Sequence, residues 1–191
     1  MKAKVCGWLM AWLVGTESYG AVSYSISGSH DQKNVGYYNK KSQSVSLGVD
    51  FELSDYFRIG FARSLEQEQE VGYKTDPLET KFLAYQLDSK IAANSVNLTL
   101  VPFHYYVTPF IFAGLGLYSI SKTEVTDLGT VSGSYRQPGP QGGGGINIKV
   151  SERFGIKVTH TVSLGAVKTP EDRKGFMKPN ATTRVGVTFT P

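Results

Sequence analysis

The chain has 191 residues, enough for one domain or two small ones. Charged residues make up 19%, aromatics 12%, and glycine fills 21 positions. That mix excludes a disordered chain and a helical bundle, and it suits an all-β protein with many tight turns. The formal net charge is +4, with basic residues scattered and no run of five like charges, so no nucleic-acid footprint is present. The only cysteine, Cys6, leaves no disulfide framework and no cysteine-based metal site.

At the amino end, Lys2 and Lys4 precede an eleven-residue apolar stretch, Val5 to Gly15, and Ser18 and Gly20 are small residues suited to a cleavage site. This pattern predicts a secretory signal peptide over 1–20, cut after Gly20, ahead of a single domain over 21–191 with net charge +3. The alternative is a short buried helix, since eleven residues are too few to span a bilayer, which takes about twenty.

Beyond residue 20 the dominant signal is alternation. Ser44 to Leu53 places Val45, Leu47, Val49, Phe51 and Leu53 on one face and Ser44, Ser46, Gly48, Asp50 and Glu52 on the other. The same period of two runs through Phe57–Ala62, Ile146–Val150, Phe154–Val158 and Arg184–Phe189. The predicted strands are 21–28, 43–53, 57–66, 94–106, 109–121, 140–150, 153–167 and 181–190. Either a soluble sandwich or a membrane barrel has such strands. The polar face here is mostly Ser, Thr and Gly, which suits the narrow interior of a small barrel with its apolar face toward lipid.

Connection lengths favour the barrel. Ser54-Asp55-Tyr56, Val107-Thr108 and Ser151-Glu152 read as minimal turns, and 29–42, 67–93, 122–139 and 168–180 as long loops. Such alternation is characteristic of an outer-membrane barrel, short on the periplasmic side and long outside. Thr80–Leu87 also has strand character. It reads as an extension of the second loop pairing with Glu66–Tyr73, and a ten-stranded barrel is the alternative.

Phe57 to Ser64, after the Ser54-Asp55-Tyr56 turn, and Pro109 to Tyr118, with its proline, aromatic and Gly114-x-Gly116-x-aromatic pattern, resemble strands of small outer-membrane barrels. The chain is similar over essentially all of 21–191 to the eight-stranded group of OmpA transmembrane domains, OmpX, OmpW and the opacity proteins. The resemblance implies an all-β, eight-stranded antiparallel up-and-down transmembrane barrel in the bacterial outer membrane. It implies lipid as surroundings, and periplasmic chaperones and the barrel-assembly machinery as partners in biogenesis. Arg184-Val185-Gly186-Val187-Thr188-Phe189 is similar to the family's carboxyl-terminal assembly signal, with Arg184, Gly186 and Phe189 at the matching positions, although Thr190 and Pro191 follow.

Some barrels of this size act on lipid A with a His and a Ser two apart on one strand. Here His160 and Ser163 are three apart and fall on opposite faces unless a bulge intervenes, with His160 in phase with lipid-facing Phe154, Ile156 and Val158. His30 and His104 have no partner at ligand spacing. Gly142 to Gly145 lacks the Lys-Ser/Thr of a phosphate loop and reads as a flexible entry into a curved strand. No enzyme, cofactor or metal is expected.

By alternation Asp50, Glu52, Arg58, Lys149, Lys157 and Arg184 point inward. Buried charges need partners, so Asp50, Glu52, Arg58 and Arg184 form a candidate lumen charge network, with Arg58 bridging Asp50 or Glu52. Lys149 and Lys157 belong either to that plug or to a wet periplasmic mouth. The expected function is a structural or surface-interaction barrel, adhesin-like, binding a surface ligand through its loops. The residues singled out are Tyr37, Tyr38, Lys40 and Lys41 in the first loop; Glu66, Glu68, Glu70, Asp76 and Glu79 in or beside the second; and Lys168, Glu171, Asp172, Arg173, Lys174 and Lys178 in the fourth. The alternative is a narrow channel for small or apolar solutes, as OmpW resemblance allows.

Overall fold

A computed structural model describes residues 21–75, 81–103, 105–165 and 178–191. Eight antiparallel strands follow one another and close into a barrel: β1 (Val22–Val35), β2 (Tyr38–Glu52), β3 (Phe57–Thr75), β4 (Lys81–Leu100), β5 (Val107–Thr126), β6 (Gly129–Lys149), β7 (Phe154–Gly165) and β8 (Lys178–Phe189). Each pairs with the next, and β8 returns to β1 through five pairs, Tyr24–Gly28 against Phe189–Val185. Closure removes the free edge around the lower ring; above it, β1 from Ser29 and β6 before Gln141 carry no ladder partner on the β8 and β7 sides among the described residues.

The register fixes the faces. Ile26, Val45, Leu47, Leu65, Ile111, Leu115 and Val185 point outward, each with more than half its surface exposed. Ser44, Ser46, Gly48, Gly60, Ala62 and Ser64 point inward. A sandwich buries its apolar face between two sheets; this single ring turns it outward, where lipid is the medium that accepts it. Aromatic side chains, among them Tyr56, Tyr105, Tyr106 and Phe154, stand exposed at the short-turn end, where an interfacial girdle belongs.

The upper half differs from expectation. Segments 29–42, 67–93 and 122–139, read as loops, are strand for nearly all of their described length. A two-residue turn at Gly36-Tyr37 joins β1 to β2, and Asp127-Leu128 joins β5 to β6. Gly36 (φ 55°) supplies the positive φ the first turn needs at its first central position, and Gly129 (φ 135°), the first residue of β6, takes a positive φ directly after the second turn. Above the apolar belt the outward residues become His30, Gln43, Gln67, Lys90 and Ser119. On β2 and β3 the inward residues there are polar as well, Lys40, Glu66, Glu68 and Glu70 among them, so the polar–apolar alternation that marks a strand in sequence disappears although the ladder continues.

Lys81–Leu87 does pair with the end of β3, from Glu70 to Thr75, but it is continuous with β4, and the count is eight rather than ten. Glu66 faces Ile91 instead. The middle periplasmic turn is 101–106 and β5 begins at Val107, so Val107-Thr108 is strand. Pro102 has no N–H for a ladder, while Val101 N–H donates to Tyr56 O (2.8 Å) and Thr108 Oγ1 to Tyr105 O (2.9 Å). Gly142 to Gly145, read as the entry of the strand, lies well inside β6, which begins at Gly129. Gly143 and Gly145 face inward under the rings of their partners Phe112 and Phe110, which occupy the volume side chains there would fill.

Residues 1–20, 76–80, 104 and 166–177 lie outside the described residues, and with them the predicted signal peptide, His104, Asp76, Glu79, Lys168, Glu171, Asp172, Arg173 and Lys174. The backbone of Lys178 is described as the start of β8.

Candidate functional site

The lumen is divided into three tiers. At the periplasmic mouth Arg58 Nη2 lies 2.5 Å from Glu52 Oε1, with both side chains partly exposed. Asp50 does not join that pair. It bonds instead to Lys157 Nζ on the opposite wall at 3.2 Å, and the same ammonium stands 5.0 Å over the Phe110 ring. Lys157 is therefore inside the lumen, whereas Lys149 is exposed at the mouth. A cavity of about 350 Å³ opens here.

The middle tier narrows to about 90 Å³ between Ser25, Ser46, Ala62 and Ser64 on one side and Asn97, Phe110, Phe112 and Gln141 on the other. Gln141 Nε2 donates to Asn97 Oδ1 (2.5 Å), and Tyr118 Oη donates to Gln141 Oε1 (2.9 Å). Arg184 forms the roof. Its Nη2 lies 3.9 Å from Glu66 Oε2, its Nε donates to Ser44 Oγ (3.0 Å), and both charged side chains are nearly buried. Of the four predicted network residues, Asp50, Glu52 and Arg58 thus sit at the mouth in two separate ion pairs, and Arg184 sits apart at the roof. Arg184 is not joined to Asp50, Glu52 or Arg58, because β8 places it level with the top of the belt.

Glu66, expected at the end of the third strand beside the second loop, is a lumen residue. The signal was present: Glu66, Glu68 and Glu70 continue the inward phase of Arg58, Gly60, Ala62 and Ser64 along β3. Tyr38 and Lys40, assigned to a loop, face inward from β2. They line an upper vestibule of about 440 Å³. Its acidic wall pairs Lys40 Nζ with Glu68 Oε1 (2.6 Å) and Tyr85 Oη with Glu70 Oε1 (2.7 Å). Its apolar wall is the buried cluster of Ala93, Tyr118 and Ile120, with Ile91 and Tyr135 packed on it. The bond to Glu70, then burial, pushes the Tyr85 phenol up to about 12. Burial pulls the Lys40 ammonium down, but the bond and charge of Glu68 outweigh it and leave Lys40 above its ordinary value.

His160 and Ser163 point to opposite sides. β7 keeps its register through both, so no bulge brings them together. His160 faces outward and its Nδ1 shares a hydrogen bond with Thr183 Oγ1 (2.9 Å), while Ser163 Oγ donates inward to Asn180 O (3.4 Å). His30 is outward on β1, 3.3 Å from Gln43 Nε2. Among the described residues no group of three His, Cys, Asp or Glu could hold a metal.

At the carboxyl end, Gly186 packs against β1 with no room for a side chain, since a Cβ there would collide with the Ile26 carbonyl and Ser27. Phe189 faces outward, its ring centroid 5.1 Å from that of Phe154. Thr190 N–H continues the ladder to Arg153 O (2.9 Å).

One closed ring, an apolar exterior and a charge-filled interior define the class of small eight-stranded outer-membrane β-barrels. Solved structures of that class are similar to this chain. Neisserial surface protein A superposes with a TM-score of 0.60 at 14% identity, covering 89% of this chain and 97% of that one. Ail, the attachment invasion locus protein of Yersinia pestis, gives 0.56 at 15%, covering 91% and 99%. OprG of Pseudomonas aeruginosa gives 0.56 at 12%, covering 91% and 97%. Neither a protein-family model nor a curated protein sequence matches the chain.

Proposed function

We propose that this chain is a surface-interaction protein of the outer membrane whose strand extensions, rather than its lumen, carry the binding surface. The observation that carries this reading is the set of apolar side chains at the tips of the extended hairpins. Leu128 is 96% exposed, and Val131, Val35 and Tyr37 are exposed beside their turns. Strands held in a ladder present these groups with little ordering cost, which favours recognition. Ail has been crystallised with the heparin analogue sucrose octasulfate, which supports this fold as one that meets ligands at the cell surface. Vesicles carrying the chain are expected to bind plates coated with extracellular-matrix protein or heparin, and Leu128→Ser with Val131→Ser to lose that binding. Equal capture of vesicles lacking the chain contradicts the reading.

A channel is the second reading, favoured by the three cavities stacked along one axis. Discrete openings in planar bilayers support it; silence supports a plugged lumen. No catalytic role is proposed. For biogenesis, residues 1–20 act as a cleaved signal peptide, and Arg184, Gly186 and Phe189 are read by the assembly machinery after periplasmic chaperones deliver the chain. Phe189→Ala is expected to slow assembly in cells more than spontaneous folding into vesicles.

A further inference from the structure

Arg63 faces lipid. It lies on β3 between outward Phe61 and Leu65, is exposed, and has neutral partners on both sides, Leu47 of β2 and Asn94 of β4. Six residues above Phe57, on strands tilted by about 40°, it stands roughly 15 Å from the short-turn end of a belt about 25 Å tall. A cation at that depth is unfavourable unless its head reaches the interface or an anion. The small Ala92, outward on β4 beside Leu65, leaves room for the guanidinium to rise.

Two outer grooves meet at this point. Below Arg63 and Asn94 an apolar trough of about 830 Å³ runs along Ile26, Leu47, Phe61, Val96 and Val187. Above them a groove of about 480 Å³ has Val45, Leu65 and Ala92 as its floor and Gln43, Gln67 and Lys90 as its rim. Lys90 is exposed and stands opposite neutral Gln67 and Ser121. The carboxylate on its row, Asp88, accepts a bond from Gln86 (2.9 Å). Neither Arg63 nor Lys90 has an ion-pair partner among the described residues.

We propose that this face of β3 and β4 holds a phosphorylated glycolipid of the outer leaflet, with phosphate on Arg63 and Lys90 and an acyl chain in the trough. The cations match phosphate, and the amides and hydroxyls around them match sugar hydroxyls, which a simple anionic phospholipid lacks. The proposal rests on the outer-membrane reading, which places the extended strands outside.

The test is native mass spectrometry of the full barrel, folded in mild detergent with three probes: a diphosphorylated hexa-acyl disaccharide lipid, its dephosphorylated form, and phosphatidylglycerol. The wild type is expected to retain the diphosphorylated glycolipid preferentially. Arg63→Gln with Lys90→Gln should weaken retention about tenfold or more, and Lys90→Gln alone, at the rim, should weaken it measurably. His160→Gln with Thr183→Val, elsewhere on the exterior, should leave it unchanged. Equal retention by the double variant, or equal retention of phosphatidylglycerol or the dephosphorylated lipid, overturns the site. A wild-type chain with no heat-dependent gel shift overturns the membrane reading beneath it.

Discussion

Arg184 and Glu66 meet across the barrel interior, their charged groups 3.9 Å apart and their side chains 12% and 9% exposed. They come from strands on different sides of β1 and β2, so the pair joins walls that the ladder does not connect directly. Removing one partner of a buried pair leaves the other charge alone. Arg184→Ala is expected to cost about 3 kcal/mol in urea unfolding from vesicles, with Glu66→Gln recovering part of it. The Arg58–Glu52 pair is wetter, so Arg58→Ala is expected to cost roughly 1 kcal/mol. Equal losses at both sites would contradict the division of the lumen into a wet mouth and a dry roof.

Tyr85 provides a titration test outside the membrane. Its phenol is held neutral to about 12 by the bond to Glu70, so Glu70→Gln should return it toward the ordinary value near 10. The neutral form is the one the fold favours. Its stabilising contribution is therefore complete below the unfolded pKa near 10 and is lost as pH rises through about 12. Ultraviolet absorbance of the phenolate follows the shift directly, and an unchanged tyrosine titration in Glu70→Gln would contradict the bond.

Gly145 tests the packing of aromatic rings over glycines. A Cβ there would collide with the Val158 carbonyl and with the Phe110 ring. Gly145→Ala is expected to destabilise the barrel by about 1–3 kcal/mol. Phe110→Ala in the same chain should not restore it, because the backbone obstruction remains. Full rescue by the ring deletion would show that side-chain crowding alone sets the cost.

The membrane-embedded half was legible in the sequence because lipid and lumen impose opposite demands on alternate residues. Val45, Leu47 and Val49 against Ser44, Ser46 and Gly48 state the register of β2 outright. The upper half was not, because on β3 the sequence Glu66-Gln67-Glu68-Gln69-Glu70 has water on one side and a polar vestibule on the other. Individual inward charges were readable from phase, as Asp50, Arg58 and Arg184 demonstrate. Glu52, across a short turn from Arg58, was a readable partner; the partners of Asp50 and Arg184 were not, since Lys157 and Glu66 reach them across the interior from strands remote in sequence. Barrel closure decides those pairings, and no local pattern encodes it.

Leu47 and Ser46 separate lipid from lumen on a single strand. Leu47 is 55% exposed on the outer face and Ser46 faces in. Leu47→Arg is expected to cost about 2–4 kcal/mol near the midplane, whereas Ser46→Arg should crowd the neck and lower any conductance. Equal, negligible effects of both on folding into vesicles would reverse the assigned faces.

Nitroxide scanning of β2 shows most directly whether the apolar face of the closed barrel lies in lipid. Single cysteines are placed from Gln43 to Phe51, labelled, and probed with oxygen and with a water-soluble nickel complex in vesicles. Oxygen accessibility is expected to follow a period of two, highest at 45, 47 and 49 and low at 44, 46 and 48. Uniform protection of 45, 47 and 49 from oxygen, as in a sandwich core, would contradict it.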